Sequence, residues 1–346
     1  MLSFGVWVMI NFVQRAPHAV RIRRIDSTPP IKQTISPPQE LSELPETMIS
    51  LNITNPTPPL EPPAPPKPIE PSRICVLTFG SKTDYFHMTE KNSKDYTHRH
   101  GYTYVDAMKE LQDSPLNPSR SNTKAYQFKI VAMRWLLETD RCDWILWHDA
   151  DALFFNFSKK LEDVFDSRYD IILSTGPTFN SHWARVVNSG HFLVQNTEFS
   201  KRFMRDAEHA MLHPCTDLVN TTNQTLLNGW LAVCDNKTQG WWLHDQGLLQ
   251  HYLINSPPDY ACHIKQVGFR DFNSLHPYFG EGDLIIHLLG ARPKRQLMEP
   301  FVRFANFDDG TIPHNLVDSY ALLKSKISED HQVGMSYDHV NRECPR

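Results

Sequence analysis

Prolines are not spread evenly along this chain of 346 residues: of 26 in all, 14 fall between Asp26 and Ser72. There the sequence reads TPP, SPPQ and NPTPPLEPPAPPKP. Such a segment buries too little apolar surface to offset the entropy of ordering it, and its fixed φ angles favour extended polyproline conformations. Residues 26–72 are therefore expected to form a disordered stem, and whatever folds must begin near Arg73. Ahead of the stem, residues 1–25 hold an apolar run, Leu2 to Val13 (LSFGVWVMINFV), followed by Arg15, Arg21, Arg23 and Arg24. Its length suits the apolar core of a signal peptide or a short signal-anchor, although no basic residue precedes it.

The remaining composition is that of an ordinary globular chain. Hydrophobic residues make up 40% and charged residues 21%, enough to bury a sizeable core. A formal net charge of −4 argues against a nucleic-acid binder held by phosphate contacts. No stretch reaches the roughly 18–20 apolar residues that cross a bilayer as a helix, which excludes a multi-pass helical membrane protein.

From Arg73 the pattern alternates. Ile74 to Phe79 is a short β-prone run ended by Gly80-Ser81. Thr83 to His100 reads as a helix, Tyr102 to Val105 as a strand, and Ala125 to Thr139 (AYQFKIVAMRWLLET) as a second helix. Trp144 to Trp147 is a buried strand running into His148-Asp149-Ala150-Asp151. Tyr169 to Ser174 and His191 to Val194 follow as strands, and Ser200 to His213 as a helix. This order implies an α/β sheet of largely parallel strands. Residues 73–304 are expected to form one domain, with 305–346 a C-terminal tail.

Six cysteines, at 75, 142, 215, 234, 262 and 344, show no Cys-x-x-Cys pair and hence no zinc-site spacing. Cys215 and Cys234 bracket a polar stretch, and sequons stand at Asn220, Asn223 and Asn236. Asn52 and Asn156 are sequons too, the latter directly after a core strand.

Two carboxylates close the WILW strand. On an extended chain residues i and i+2 point to one side, so Asp149 and Asp151 can share a ligand, and an oxygen-rich pair suits Mg²⁺ or Mn²⁺. The carboxyl end of a sheet strand is also where α/β folds bind ligands. Asp-x-Asp by itself names no reaction, since phosphatases, nucleases and glycosyltransferases all use it. A haloacid-dehalogenase-like phosphatase is the natural rival. That family wants Thr or Val after the second Asp, where Ala152 stands, and a downstream Gly-Asp-x-x-x-Asp, where Gly282-Asp283 runs on to His287. Further along, His244-Asp245-Gln246 precedes an amphipathic helix. His287 ends an apolar run with Arg292, Lys294 and Arg295 behind it, a setting in which a histidine can complete a metal–diphosphate site.

Taken in order, strand-TFGS, WILWHDADALFFN, NSGHFLVQN, HDQGLL and FNSLHPYFGEGDLIIHLLG resemble glycosyltransferase family 34. That family includes fungal α-galactosyl- and α-mannosyltransferases and plant xyloglucan xylosyltransferases. The resemblance runs from about Arg73 to Arg292. It implies a GT-A type, Rossmann-like single catalytic domain with a mostly parallel central sheet. It also implies retaining transfer of a sugar from a nucleotide donor to a glycan acceptor.

On that resemblance Asp149 and Asp151 match the DxD pair, binding Mn²⁺ (Mg²⁺ being the second choice) and the donor. His287 matches the C-terminal metal-ligating histidine, Gly290 the glycine of HxxG, and Arg292 stands where a Lys contacts the diphosphate. Asp245 and Gln246 match the catalytic pair near the reacting sugar carbon. Gly80 and Ser81 match the first-strand loop beside the nucleotide, and Lys129 a basic residue of the helix before DxD. Asn188, Ser189 and Gly190 would line the sugar pocket. Two departures stand out: Ala291 replaces the usual Cys, and the stretch 215–240 has no counterpart, so the acceptor is not specified.

The GEGDLIIH and FNS segments look nearer to fungal members, which favours a galactose-type hexose on a UDP donor over xylose or a GDP donor. Acceptors of this family are glycans made in the Golgi. Together with the short apolar start, the Pro-rich stem and the clustered sequons, that suits a type II Golgi-membrane glycoprotein with a lumenal catalytic domain and no nucleic-acid partner. In that compartment Cys215 and Cys234 are expected to pair. A non-catalytic carbohydrate- or nucleotide-binding relic of the fold is the alternative from a different class.

Overall fold

The computed structural model describes residues 70–80, 84–114, 125–175, 187–212, 245–255, 260, 262–275, 279–288 and 293–311. The chain divides into two units, Met1–Pro62 and Pro63–Arg346, and every described residue lies in the second. The expected anchor, residues 26–69 of the expected stem, Cys215, Cys234, the sequons Asn52, Asn220, Asn223 and Asn236, and the tail beyond 311 lie outside the described residues.

Among the described residues nine strands form two sheets. They are β1 (Ile74–Thr78), β2 (Thr103–Asp106), β3 (Trp144–His148), β4 (Ala152–Phe154), β5 (Ile171–Thr175), β6 (Val187–Gln195), β7 (Ile264–Val267), β8 (Ser274–Leu275) and β9 (Ile285–His287). The helices are α1 (Phe86–His100), α2 (Ala107–Glu110), α3 (Ala125–Glu138), α4 (Glu198–Leu212), α5 (Asp245–Asn255), α6 (Phe269–Phe272) and α7 (Lys294–Phe304). The larger sheet has the order β2-β1-β3-β6-β5-β7. Its pairs are parallel except where β6 meets β3 and β5, so five strands run one way and β6 runs against them. The smaller sheet, β4-β9-β8, pairs β4 antiparallel and β8 parallel to the central β9. The α/β architecture with a mostly parallel central sheet expected from the sequence is present.

Strands β1, β3 and β5 are buried at every position because both faces of the sheet are covered. Side chains alternate between the faces. Cys75, Leu77, Ile145, Trp147, Ile171 and Leu173 pack on one side with Phe128 and Met133 of α3 and Phe203 and Met204 of α4. Ile74, Val76, Trp144, Leu146 and Ile172 pack on the other with Tyr96 of α1, Phe154 of β4 and Ile285 of β9. The smaller sheet is thus pinned beneath the larger one, and α1 fixes its outer strand. Asn92 Nδ2 donates to the Phe154 carbonyl at 2.9 Å while the Phe154 N–H donates to Asn92 Oδ1 at 2.8 Å, so a side chain satisfies an edge that no strand covers.

Cys75 of β1 is disulfide-bonded to Cys142, two residues before β3. Cys262 is also disulfide-bonded, and no described cysteine is free. Asn156 is buried: its Nδ2 donates to the Gly282 carbonyl at 3.3 Å, and its Oδ1 accepts from the Ser158 N–H at 2.9 Å. That sequon is therefore closed to glycosylation once the chain is folded. Past α7, the Phe157 N–H donates to the Phe307 carbonyl at 2.6 Å, tying residues beyond 304 to the smaller sheet. Among the described residues no helix is long and apolar enough to cross a membrane.

Candidate active site and metal centre

Strand β3 ends at His148, and the chain enters β4 only four residues later. The Ala152 N–H donates to the Asp149 carbonyl at 3.2 Å, closing a turn that carries both aspartates. Their common orientation thus comes from a turn rather than from the extended segment expected. The β3–β6 pairing continues past His148, with the Asp149 N–H donating to the Gly190 carbonyl at 3.0 Å. The β4–β9 register sets Ala152 opposite His287, and the Leu288 N–H donates to the Asp151 carbonyl at 3.0 Å. Two sheets therefore meet at this turn, and one ligand atom each from Asp149, Asp151 and His287 lie within 4.8 Å of one another. His287 Nε2 is 3.2 Å from Asp151 Oδ1 and 3.8 Å from Asp149 Oδ2.

Lys129 projects from α3 and is buried. Its ammonium meets Asp149 Oδ1 at 3.0 Å, Asp245 Oδ2 at 2.6 Å and the Ser189 carbonyl at 2.9 Å. One buried ammonium thus faces two carboxylates and a carbonyl. Trp147 Nε1 donates to the same Asp149 oxygen at 2.7 Å. Asp245 opens α5, is buried, and joins the cluster through this lysine, with half-buried Gln246 next in the helix. Lys294, at the start of α7, pairs with Asp151 Oδ2.

Burial sets the electrostatics of this cluster, and the bridging charges modify it. Burial would lower the Lys129 ammonium, but Asp149 and Asp245 overcome it and hold the group above its usual range. Burial pushes the Asp149 carboxyl up, with Lys129 opposing. For Asp151 the burial effect is outweighed by His287 and Lys294, which hold the carboxyl below its usual range. His148 is pushed down to about 3, by burial first and by nearby His287 second. His191 is likewise held well below its usual value by burial and by the two neighbouring imidazoles.

Of the residues expected from sequence, Lys129, Asp149, Asp151, Asn188, Ser189, Gly190, Asp245 and His287 come together in this region. Gly190 is there because nothing larger fits: a Cβ would lie 2.1 Å from His287 Cε1. Gly80 follows β1 and packs on Phe86, whose Cδ1 would be 2.0 Å from a Cβ at that position. Ser81, Gly290 and Arg292 lie outside the described residues. Asn273, His191, His148 and Lys294 also belong to the cluster, and no sequence reasoning marked them as site residues. Only the basic run behind His287 hinted at Lys294.

A divalent cation fits these residues. His287 Nε2 is buried without a hydrogen-bond partner, and Nδ1 of the same ring lies 3.0 Å from Asn273 Oδ1. With Nδ1–H as the donor, Nε2 presents a lone pair toward two carboxylate oxygens. Three ligand atoms facing one space, two of them carboxylate oxygens, form a set that a cation would satisfy. Two carboxylates and one imidazole suit Mn²⁺ and Mg²⁺ through the oxygens and borderline metals through the nitrogen.

The resemblance to glycosyltransferase family 34 is borne out: the model of the galactosyl transferase GMA12/MNN10 family matches residues 74–175. The matched segment carries Gly80, Lys129, Asp149 and Asp151 and supports glycosyl transfer. Asn188, Asp245 and His287 lie beyond it and join those residues through the fold. No curated protein matches the chain. Among solved structures, a glycosyltransferase involved in glycosylation of the major capsid of PBCV-1 is 14% identical with a TM-score of 0.45, covering 65% of this chain and 98% of its own. The galactosyltransferase LgtC, in complex with donor and acceptor sugar analogs, is 13% identical with a TM-score of 0.37, covering 70% and 99%. The glycosyltransferase GlyE of Streptococcus pneumoniae TIGR4 is 12% identical with a TM-score of 0.36, covering 72% and 64%.

Proposed function

We propose that this protein is a metal-dependent, retaining hexosyltransferase. It moves a galactose-type sugar from a nucleotide donor, UDP-linked in preference to GDP-linked, to a glycan acceptor. The observation that carries the reading is the convergence of Asp149, Asp151 and His287 within 4.8 Å, beside an Asp245 that Lys129 holds at 2.6 Å. Asp149, Asp151 and His287 hold the ion, Mn²⁺ with Mg²⁺ as second choice. When bound, it supplies positive charge where the leaving diphosphate becomes negative, the main barrier to breaking a sugar–phosphate bond. Arg292 adds to that charge. Asp245, kept in place by Lys129, offers its carboxylate to the positive charge that develops on the sugar, with Gln246 beside it. Asn188, Ser189 and Gly190 wall the sugar's side of the site.

The phosphatase reading loses ground on the same geometry. His287 occupies the place of its downstream acid, and Asp149 Oδ1 is held by both Trp147 and Lys129. The compartment belongs to the proposal as well: a type II protein of the Golgi membrane with a lumenal catalytic domain. The buried Cys75–Cys142 disulfide and the bonded Cys262 support an oxidising compartment.

A thermal-shift panel of UDP- and GDP-sugars with Mn²⁺ tests the donor assignment. A ligand at about 100 times its Kd adds ~2.7 kcal/mol to the folded state, a shift of several degrees. UDP-galactose with Mn²⁺ should give that shift, and a chelator should remove it. Stabilisation by UDP-xylose alone would overturn the hexose preference, and no stabilisation by any nucleotide sugar would overturn the enzyme reading.

A further inference from the structure

Asn273 is fully buried, and each of its polar atoms is engaged. Its Nδ2 donates to Ser174 Oγ at 2.6 Å and to Asn188 Oδ1 at 2.9 Å. Its Oδ1 lies 2.7 Å from His191 Nδ1 and 3.0 Å from His287 Nδ1. Which end of the amide is oxygen is decided from outside. The Gly190 N–H can only donate, and it points at Asn188 Oδ1 at 2.9 Å. Asn188 therefore presents oxygen, Asn273 must meet it with nitrogen, and the Asn273 oxygen faces both imidazoles. Both Nδ1 atoms then carry the proton. His191 closes the chain consistently, its Nε2 lying 3.0 Å from His148 Nδ1.

The competing arrangement is close by. Asp151 Oδ1 is 3.2 Å from His287 Nε2 and would accept a proton there, which would block the atom that a cation needs. We propose that Asn273 is the positioning residue that keeps the His287 proton on Nδ1 and so presents its Nε2 lone pair to a cation shared with Asp149 and Asp151. This rests on the metal-site reading above and adds to it the residue that makes His287 a ligand. A side chain that fixes a ligand's tautomer is typically worth 10–100-fold in metal affinity.

Two measurements test it, neither using turnover. Long-range ¹H–¹⁵N correlation spectra of metal-free protein with ¹⁵N-labelled histidine, assigned with His287→Gln, should show the His287 proton on Nδ1. A proton on Nε2 in the wild type would overturn the proposal without recourse to any Asn273 variant. Mn²⁺ titration followed by the paramagnetic resonance of the free ion should show Asn273→Leu weakened by roughly 10–100-fold. A folded Asn273→Leu protein that binds Mn²⁺ as tightly as wild type would overturn it too. If His287→Gln itself leaves Mn²⁺ affinity unchanged, the metal-site reading has failed, and the tautomer spectrum still decides the role of Asn273.

Discussion

At the scale of single residues, the site is held by buried charge in which one lysine serves two acids. Lys129→Met would leave buried Asp245 and half-buried Asp149 without their shared counter-ion. Breaking a buried pair from one side costs about 3–5 kcal/mol, so the urea midpoint should fall well below wild type. Gly190→Ala places a methyl 2.1 Å from His287 Cε1 and 2.9 Å from Asn188 Oδ1. The ring must move, and Mn²⁺ affinity measured by titration should drop at least about tenfold. Acid should also weaken the fold. His148 is held near 3, whereas in the unfolded chain it titrates near ~6.5, so the unfolded state takes up the proton first as pH falls. Its contribution is complete above ~6.5 and is lost at about 1.4 kcal/mol per pH unit below it, which equilibrium unfolding at several pH values would show. Asp149, Asp151 and His287 were legible in the sequence because carboxylates and imidazole announce their chemistry. Asn273 was not: a neutral amide between Phe272 and Ser274 has no spacing rule, and its role arises only where β6, β8 and β9 meet.

At the scale of elements, apolar runs marked β1, β2, β3 and β5, and helical periodicity marked α1, α3 and α4 to within a few residues. The run His191 to Val194 proved to be part of the longer β6, Val187–Gln195, whose polar start hid its length. Its reversed direction was not legible either, since alternation of side chains is the same whichever way a strand runs. The three-residue strands β4 and β9 are too short to show a period, yet their pairing brings His287 to the aspartates. The β4 edge depends on Asn92, which both donates to and accepts from Phe154. Asn92→Ala would leave a buried donor and acceptor unpaired, costing about 2–4 kcal/mol. Mn²⁺ binding should weaken with it, as β4 carries the turn of Asp149 and Asp151, and calorimetry with and without Mn²⁺ would check both.

At the scale of the whole molecule, the Cys75–Cys142 disulfide joins residues 67 apart and ties the first strand to the third. The sequence did not point to this bond, because adjacency of β1 and β3 cannot be seen from cysteine spacing. The pair it did suggest, Cys215 and Cys234, lies outside the described residues. Replacing both Cys75 and Cys142 by Ala should cost about 4 kcal/mol in the chain-entropy model. Non-reducing peptide maps of native protein should recover the Cys75–Cys142 linkage, and free thiols at both positions would contradict a lumenal enzyme. The measurement nearest the chemistry is UDP release from UDP-galactose by chelator-stripped protein, with and without added Mn²⁺, in wild type and in the Asp149→Asn/Asp151→Asn double variant. Turnover should appear only with Mn²⁺ in the wild type and fall by at least about 100-fold in the double variant, while the variant remains folded. A folded double variant that turns over at the wild-type rate, or a wild-type rate indifferent to chelation, would contradict a metal-dependent transferase built on these residues.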